Sequence, residues 1–198
     1  MMPVKSLGPR VLKGRFVQLE PMAAQHRDGL RAIAGDPAIW RYMPVSENKN
    51  FEDFWTGAEK DMAGGGRIAF AVRKLADGAL AGSTSYLDIV PEHGRVEIGW
   101  TWYAAHAQGS AVNPEAKLLL LGNAFERAGY TRVELKTDAN NARSRAAILK
   151  LGAKEEGIFR KHMWMPRGYW RDTAWYSVLA EEWPGVKAVL EARLKDFG

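Results

Sequence analysis

The stretch 99–157 constrains this chain more than any other. It reads as the end of a strand, an open loop holding Gly109, a helix, a second strand and a second helix, in unbroken order. The loop and helix start run His106-Ala107-Gln108-Gly109-Ser110-Ala111-Val112-Asn113-Pro114-Glu115-Ala116-Lys117, followed by leucines at 118–121. Small residues leading into a helix start leave several backbone N–H groups free at the positive end of the helix dipole. That arrangement suits a pyrophosphate. Further on, Asp138-Ala139-Asn140-Asn141-Ala142-Arg143-Ser144 opens the next helix, and Leu151-Gly152-Ala153 closes it.

Around this centre the apolar periodicity sets out the remaining elements. Residues 15–19 alternate as a first strand stopped at Pro21, and 22–34 read as a helix ending near Gly35-Asp36-Pro37. Phe51, Phe54, Trp55, Ala58 and Met62 recur at helical spacing over 50–63, and three glycines at 64–66 end that helix. Strands over 68–73 and 79–87 flank the turn Ala76-Asp77-Gly78. The fourth strand covers 95–102, a helix 114–128, the fifth strand 132–136 and a helix 141–151 ended by Gly152. Strands over 153–160 and 173–179 complete the sheet before a last helix over 184–196. The expected fold class is α/β (mixed α+β), with a central mixed sheet of about seven strands flanked by helices. A length of 198 residues fits one domain, 1–198.

Several chemistries are excluded or disfavoured by what is missing. The chain has no cysteine, which removes disulfides, thiolate metal sites and a covalent Cys-acyl intermediate, and fits a cytoplasmic protein. Lys5, Arg10, Lys13 and Arg15 are followed by no apolar core of a signal peptide, and the longest aliphatic run, 118–121, is far too short to span a membrane. His26, His93, His106 and His162 show no paired metal spacing, so no metal is expected. The triple glycine lacks a following Lys-Ser/Thr, and Ser83, Ser85 and Ser110 sit in no Gly-x-Ser-x-Gly elbow. The net charge is +5, and its surplus is local, with ten Lys/Arg against four Asp/Glu over 132–171. That face is either simply solvated or attracts a polyanionic ligand; no motif for nucleic acid accompanies it.

Single motifs in the central stretch have ordinary readings. Asn141 can cap its helix with Ser144 facing outward. Glu97, between Val96 and Ile98, points to the opposite strand face from both, as many solvated carboxylates do. In combination, the Asn-Pro-Glu-Ala-Lys helix, the strand end Lys136-Thr137-Asp138, Asn141-x-x-Ser144, Gly152-Ala153 and Glu156-Gly157 resemble the GNAT superfamily of N-acetyltransferases. The RimJ/RimL-like branch matches best, through Glu156-Gly157-Ile158-Phe159-Arg160-Lys161-His162, Arg171-Asp172-Thr173 and Tyr176-Ser177-Val178-Leu179. The similarity runs from Phe16 to Trp183. Two positions depart from the superfamily pattern: His106 stands at the first loop position, and Ile148 where many members carry a proton-donating Tyr.

The resemblance implies a mostly antiparallel sheet splayed between strands 4 and 5, and transfer of an acetyl group from acetyl-CoA to an amine within a ternary complex. It implies that acetyl-CoA lies along Thr101, Trp102 and Tyr103, with its phosphates on the amides of Gln108, Gly109, Ser110, Ala111, Val112 and Asn113. Asn141 would hold the pantetheine arm, and Arg143 and Arg145 the adenosine phosphates. Glu97 would be the base and Ser144 the acid for the leaving thiolate. Trp40, Tyr42, His162 and Trp164, in the least family-like segments 36–55 and 161–172, are expected to form the acceptor site. The branch favours a protein or peptide N-terminal α-amine; a small drug-like or polyamine acceptor, or a non-catalytic acyl-CoA sensor, stays open. A homodimer is compatible with the family.

Overall fold

The computed structural model describes residues 4–198. Its sheet has eight strands: β1 (Leu12–Lys13), β2 (Val17–Pro21), β3 (Arg67–Lys74), β4 (Leu80–Val90), β5 (Arg95–Tyr103), β6 (Arg132–Asp138), β7 (Lys154–Met165) and β8 (Tyr169–Leu179). They lie side by side in the order β1-β2-β3-β4-β5-β6-β8-β7. Every neighbouring pair is antiparallel except β5 and β6, which run parallel. The helices are α1 (Arg27–Ile33), α2 (Pro37–Trp40), α3 (Asn50–Ala63), α4 (Val112–Gly122, widening into a π turn over Asn123–Arg127), α5 (Ala142–Leu151) and α6 (Trp183–Lys195).

Strand alternation sorts the side chains into two cores. On β3, Phe70 and Val72 join a large core with Val17, Leu19, Val96, Val133 and the inner faces of α4, α5 and α6. Ala69 and Ala71 face the other way, into an aromatic core built by Trp40, Phe51, Phe54, Trp55 and Trp102. Trp102 packs edge-on against Phe54, with ring centroids 5.6 Å apart. Glu115, in the first turn of α4, fastens that helix to the sheet. Its carboxylate accepts from the backbone amides of Arg15 (2.8 Å), Phe16 (2.6 Å) and Val17 (2.6 Å).

Four sequence expectations change. The additional strand, β1, is two residues long and too short to show alternation. The helix expected over 22–34 starts later, because Met22 continues from β2 and donates to Ala69 O, and only a 3-10 turn precedes α1. Asp36-Pro37 opens a helix of its own, α2, where Asp36 caps the amide of Ala38. The segment 161–172 is not a connecting loop. It forms the tip of the β7–β8 hairpin, since its Met, Trp and Tyr side chains suit a strand.

Candidate active site

The parallel pairing of β5 with β6 stops after Glu97 and Glu134. Beyond that point β5 keeps β4 as a neighbour but carries an extra residue, so that Ser85 faces Gly99 while Ser83 faces Trp102. The bulge places Trp100 at φ +48°. From Ile98 onward the β6-facing edge of β5 has no partner strand, and the two strands part. The splay expected between the fourth and fifth strands is this one, renumbered by the extra first strand. It opens a groove of about 940 Å³ that Thr101, Trp102 and Tyr103 line from one side and Leu135, Lys136 and Thr137 from the other.

One end of the groove is the loop before α4. Gln108, Gly109 and Asn113 line it, whereas the side chains of Ala111 and Val112 are buried beneath and Ser110 stands aside. Gln108 Nε2 donates to Tyr103 O at 2.9 Å, and Ser110 Oγ donates to Ala107 O at 2.7 Å while accepting from Val112 N at 3.3 Å. Among the described residues, the amides of Gly109, Ser110 and Ala111 meet no acceptor of the chain. Gly109 makes the turn at φ +72°, where a Cβ would meet nothing but where residues with a side chain are strained. Arg143 Nη2 donates to Gln108 Oε1 at 2.6 Å and ties the start of α5 to this loop.

Asn141 and Ser144 line the groove from the first turn of α5. Asn141 Oδ1 accepts from Ser144 N at 3.1 Å, the capping geometry, which leaves the Asn141 amide group and the Ser144 hydroxyl without a partner in the chain among the described residues. Arg145 turns away. Its guanidinium donates to Tyr176 Oη at 2.9 Å, to Ala139 O at 3.3 Å and to Glu155 at 3.1 Å, so the phosphate-binding role expected of it does not fit. Two residues of helical rotation separate it from Arg143 and carry it to another face.

Glu97 sits at the apex of the splay, with its side chain 12% exposed and Oε2 2.8 Å from Lys136 Nζ. Burial pushes its pKa above the ordinary carboxylate value, against the pull of Lys136. Lys136 also donates to Asp88 Oδ2 at 2.8 Å and stands 3.9 Å from the centre of the Trp175 ring. Burial works to lower the Lys136 pKa, but Glu97 and Asp88 outweigh it and hold the ammonium charged. Arg171, Thr173 and Asp138 extend this polar wall, and Asp138 Oδ2 accepts from Tyr169 Oη at 2.9 Å.

The four expected acceptor residues divide. Tyr42 and His162 line the groove. His162 Nδ1 is 3.0 Å from Thr173 Oγ1, and partial burial, with Arg171 and Lys136 nearby, holds its pKa below the usual value. Trp40 does not line it. The ring is 1% exposed in the aromatic core, and Nε1 donates to Ala34 O at 2.8 Å. Trp164 is 56% exposed but lies on the outer face of the hairpin against Trp170. A bulge at Lys161 (φ +47°) resets the alternation of β7, turning His162 and Met163 to the groove and Trp164 outward. Lys117, Asp88, Lys136 and Arg171 also line the groove and were given no site role from the sequence. Lys117 alone left a signal there, as a cation three and four residues before Leu120 and Leu121 on the apolar face of α4.

Among the described residues no cluster of three or more His, Cys, Asp or Glu is placed to hold a metal, and no helix is long and apolar enough to cross a membrane. Residues 17–154 match the family described as Acetyltransferase (GNAT) domain. A GCN5-related N-acetyltransferase from Brucella melitensis, known by crystal structure, has a TM-score of 0.86 and 33% identity, covering 97% of this chain and 88% of that one. YdaF of Bacillus subtilis (strain 168), whose assigned name is that of a ribosomal N-acetyltransferase, is 33% identical over 113 residues. That alignment spans 57% of this chain and 61% of YdaF, less than two thirds of the relative. RimJ of Mycobacterium smegmatis, solved in complex with CoA-disulfide, shares the fold at a TM-score of 0.79 and 20% identity, over 94% of this chain and 96% of that one. With a family match over more than half its length and a relative alike across nearly all of it, this chain belongs to the GNAT family of acetyltransferases.

Proposed function

We propose that the protein transfers an acetyl group from acetyl-CoA to a primary amine, with a protein or peptide N-terminal α-amine as the acceptor, by direct attack in a ternary complex. One observation carries the reading: the strand edge of β5 loses its partner beside both the unsatisfied amides before α4 and the buried carboxylate Glu97. An extended, amide-containing arm with a pyrophosphate at one end fits such a groove, because a strand edge offers alternating donors and acceptors and a helix start offers donors to phosphate. Thr101, Trp102 and Tyr103 would hold the arm through backbone, Gly109, Ser110 and Ala111 the phosphates through amides, and Asn141 the arm through its side-chain amide. Arg143, exposed at the loop, would face the nucleotide phosphates.

Acetyl-CoA supplies an acyl group activated as a thioester. The chain's own residues then manage protons. An amine attacks only when neutral, and a free α-amine has a pKa of about 8. Glu97, with its basicity raised by burial, would take the amine's proton, directly or through water. Ser144, whose hydroxyl has no partner in the chain among the described residues, would donate to the departing thiolate. The RimJ/RimL-like motifs and the assigned name of YdaF support a ribosomal-protein N-terminus as acceptor.

The test is release of free thiol from acetyl-CoA with N-terminal peptides of ribosomal proteins set against polyamines and aminoglycosides. Turnover with the peptides is expected. Turnover with small amines alone moves the acceptor class, and CoA binding without any turnover makes the protein a sensor.

A further inference from the structure

Helix α4 carries a cation that its surroundings leave uncompensated. Lys117 is 7% exposed, and its Nζ donates to Thr101 Oγ1 at 2.9 Å. That hydroxyl in turn is 2.7 Å from Thr84 Oγ1. An ammonium has three donors, and one hydroxyl occupies one of them. Among the described residues no carboxylate forms an ion pair with Lys117, whereas Lys136, across the groove, has Glu97 and Asp88. Burial is the sole influence on the Lys117 pKa and pulls it down to about 7. Its hydroxyl partner Thr101 comes from β5 and Thr84 behind it from β4, and the charged side chains that share the groove, Glu97, Lys136 and Arg171 among them, make no ion pair or hydrogen bond with it among the described residues. A methionine would fill the same space without desolvating a charge, so packing alone gives no reason for a lysine here.

Its position supplies one. Lys117 lines the groove, and its partner Thr101 stands on β5 beyond the last residue paired with β6. Lys117 lies five positions beyond Val112, the start of α4, which at about 1.5 Å per residue puts it some way down the helix axis from the amides suited to phosphate. A ligand lying along the free edge of β5 would pass Thr101 with its arm. The pantetheine arm offers two amide carbonyls as acceptors.

We propose that Lys117 is a substrate-binding residue whose Nζ donates to an amide carbonyl oxygen of the pantetheine arm. The proposal rests on the acetyl-CoA reading above. A carbonyl acceptor favours the charged amine, so binding raises the Lys117 pKa from its low value. At pH 8, above that value, the free side chain is mostly neutral, and binding therefore draws in a proton.

Calorimetry tests this with CoA and with adenosine 3′,5′-bisphosphate, which keeps the nucleotide but lacks the arm, at pH 8 in two buffers of different ionisation heat. Lys117→Met is expected to weaken CoA binding about tenfold, to change bisphosphate binding less than twofold and to abolish the proton uptake seen with wild type. Its melting temperature is expected to match or exceed that of wild type. Lys117→Gln, which keeps a neutral donor, is expected to bind CoA with intermediate affinity and no proton uptake. Unchanged CoA affinity and proton uptake in both variants overturn the proposal alone. Equal losses for CoA and bisphosphate overturn it in favour of a phosphate contact. Failure of wild type to bind CoA overturns the acetyl-CoA reading and this proposal together.

Discussion

Helix α4 meets the sheet at two places, and they treat polar groups in opposite ways. Where its first turn meets the start of β2, Glu115 is closed in by three backbone amides, and every charge-assisted bond the site invites is made within the chain. Where it faces the open half of β5, only two residues later, Lys117 has one hydroxyl, and the amides of Gly109, Ser110 and Ala111 have no acceptor among the described residues. The first junction is finished by folding. The second leaves its groups available, in a groove that opens where β6 stops pairing with β5.

The contrast breaks most readily at the finished junction. Glu115→Ala strands three donors, and charge-assisted bonds of this kind contribute about 1.5–3 kcal/mol each, so urea unfolding is expected to record a loss of more than about 3 kcal/mol. A variant as stable as wild type would make the first junction no different from the second. Next in size is Glu97→Gln. Glu97 acts as a base only above its raised pKa, so wild-type kcat/KM falls as pH drops through that value. The variant is expected to lose about a hundredfold or more at pH 6 and to recover as pH rises towards the amine's own pKa of about 8. A loss equal at all pH values would instead mark Glu97 as the structural partner of Lys136.

Smaller effects sharpen the open junction. Gly109→Val forces a β-branched residue to φ +72°, and is expected to raise the Kd for CoA about tenfold by turning the loop amides aside. Unchanged affinity would remove the loop from phosphate binding. Smallest is Ser144→Ala, where kcat is expected to fall about threefold with both KM values unchanged. A thiol with a pKa near 8.5 leaves adequately without help. A hundredfold fall would make Ser144 obligatory.

What the residues disclosed in advance follows from the range of the forces involved. The central strand–loop–helix–strand–helix order, the glycine turn before α4 and the placing of Glu97 on the strand face opposite Val96 and Ile98 are local, and the structure agrees with each. The β5–β6 splay was visible only through family resemblance, since nothing local tells a strand to lose its neighbour. Trp40 looked like a recognition residue because it lies in one of the least family-like segments, yet it is placed by contacts with Phe54 and Trp102, far along the chain. Arg143 and Arg145 were indistinguishable until Glu155 and Tyr176 captured one of them. Trp164 depended on a bulge that alternation alone does not reveal. Lys117 could have been found, because a lysine on an otherwise apolar helix face is legible to anyone asking what neutralises it.

Among the described residues, the three register pairs that join β5 to β6, Arg95–Arg132, Val96–Val133 and Glu97–Glu134, are the only ladder between a five-stranded block and a three-stranded one. The sheet is thus two books bound along a narrow spine, and its stiffness against shear comes from that spine and from the common core that Val96 and Val133 share with Leu120 of α4 and Leu190 of α6. Amide exchange should reflect this mechanically. Inner amides of β4 and β8, clasped on both sides, would exchange slowly, whereas those on the unpaired flank of β5 would exchange fast. Any molecule bonding along that flank would lengthen the spine and couple the two blocks into one elastic body.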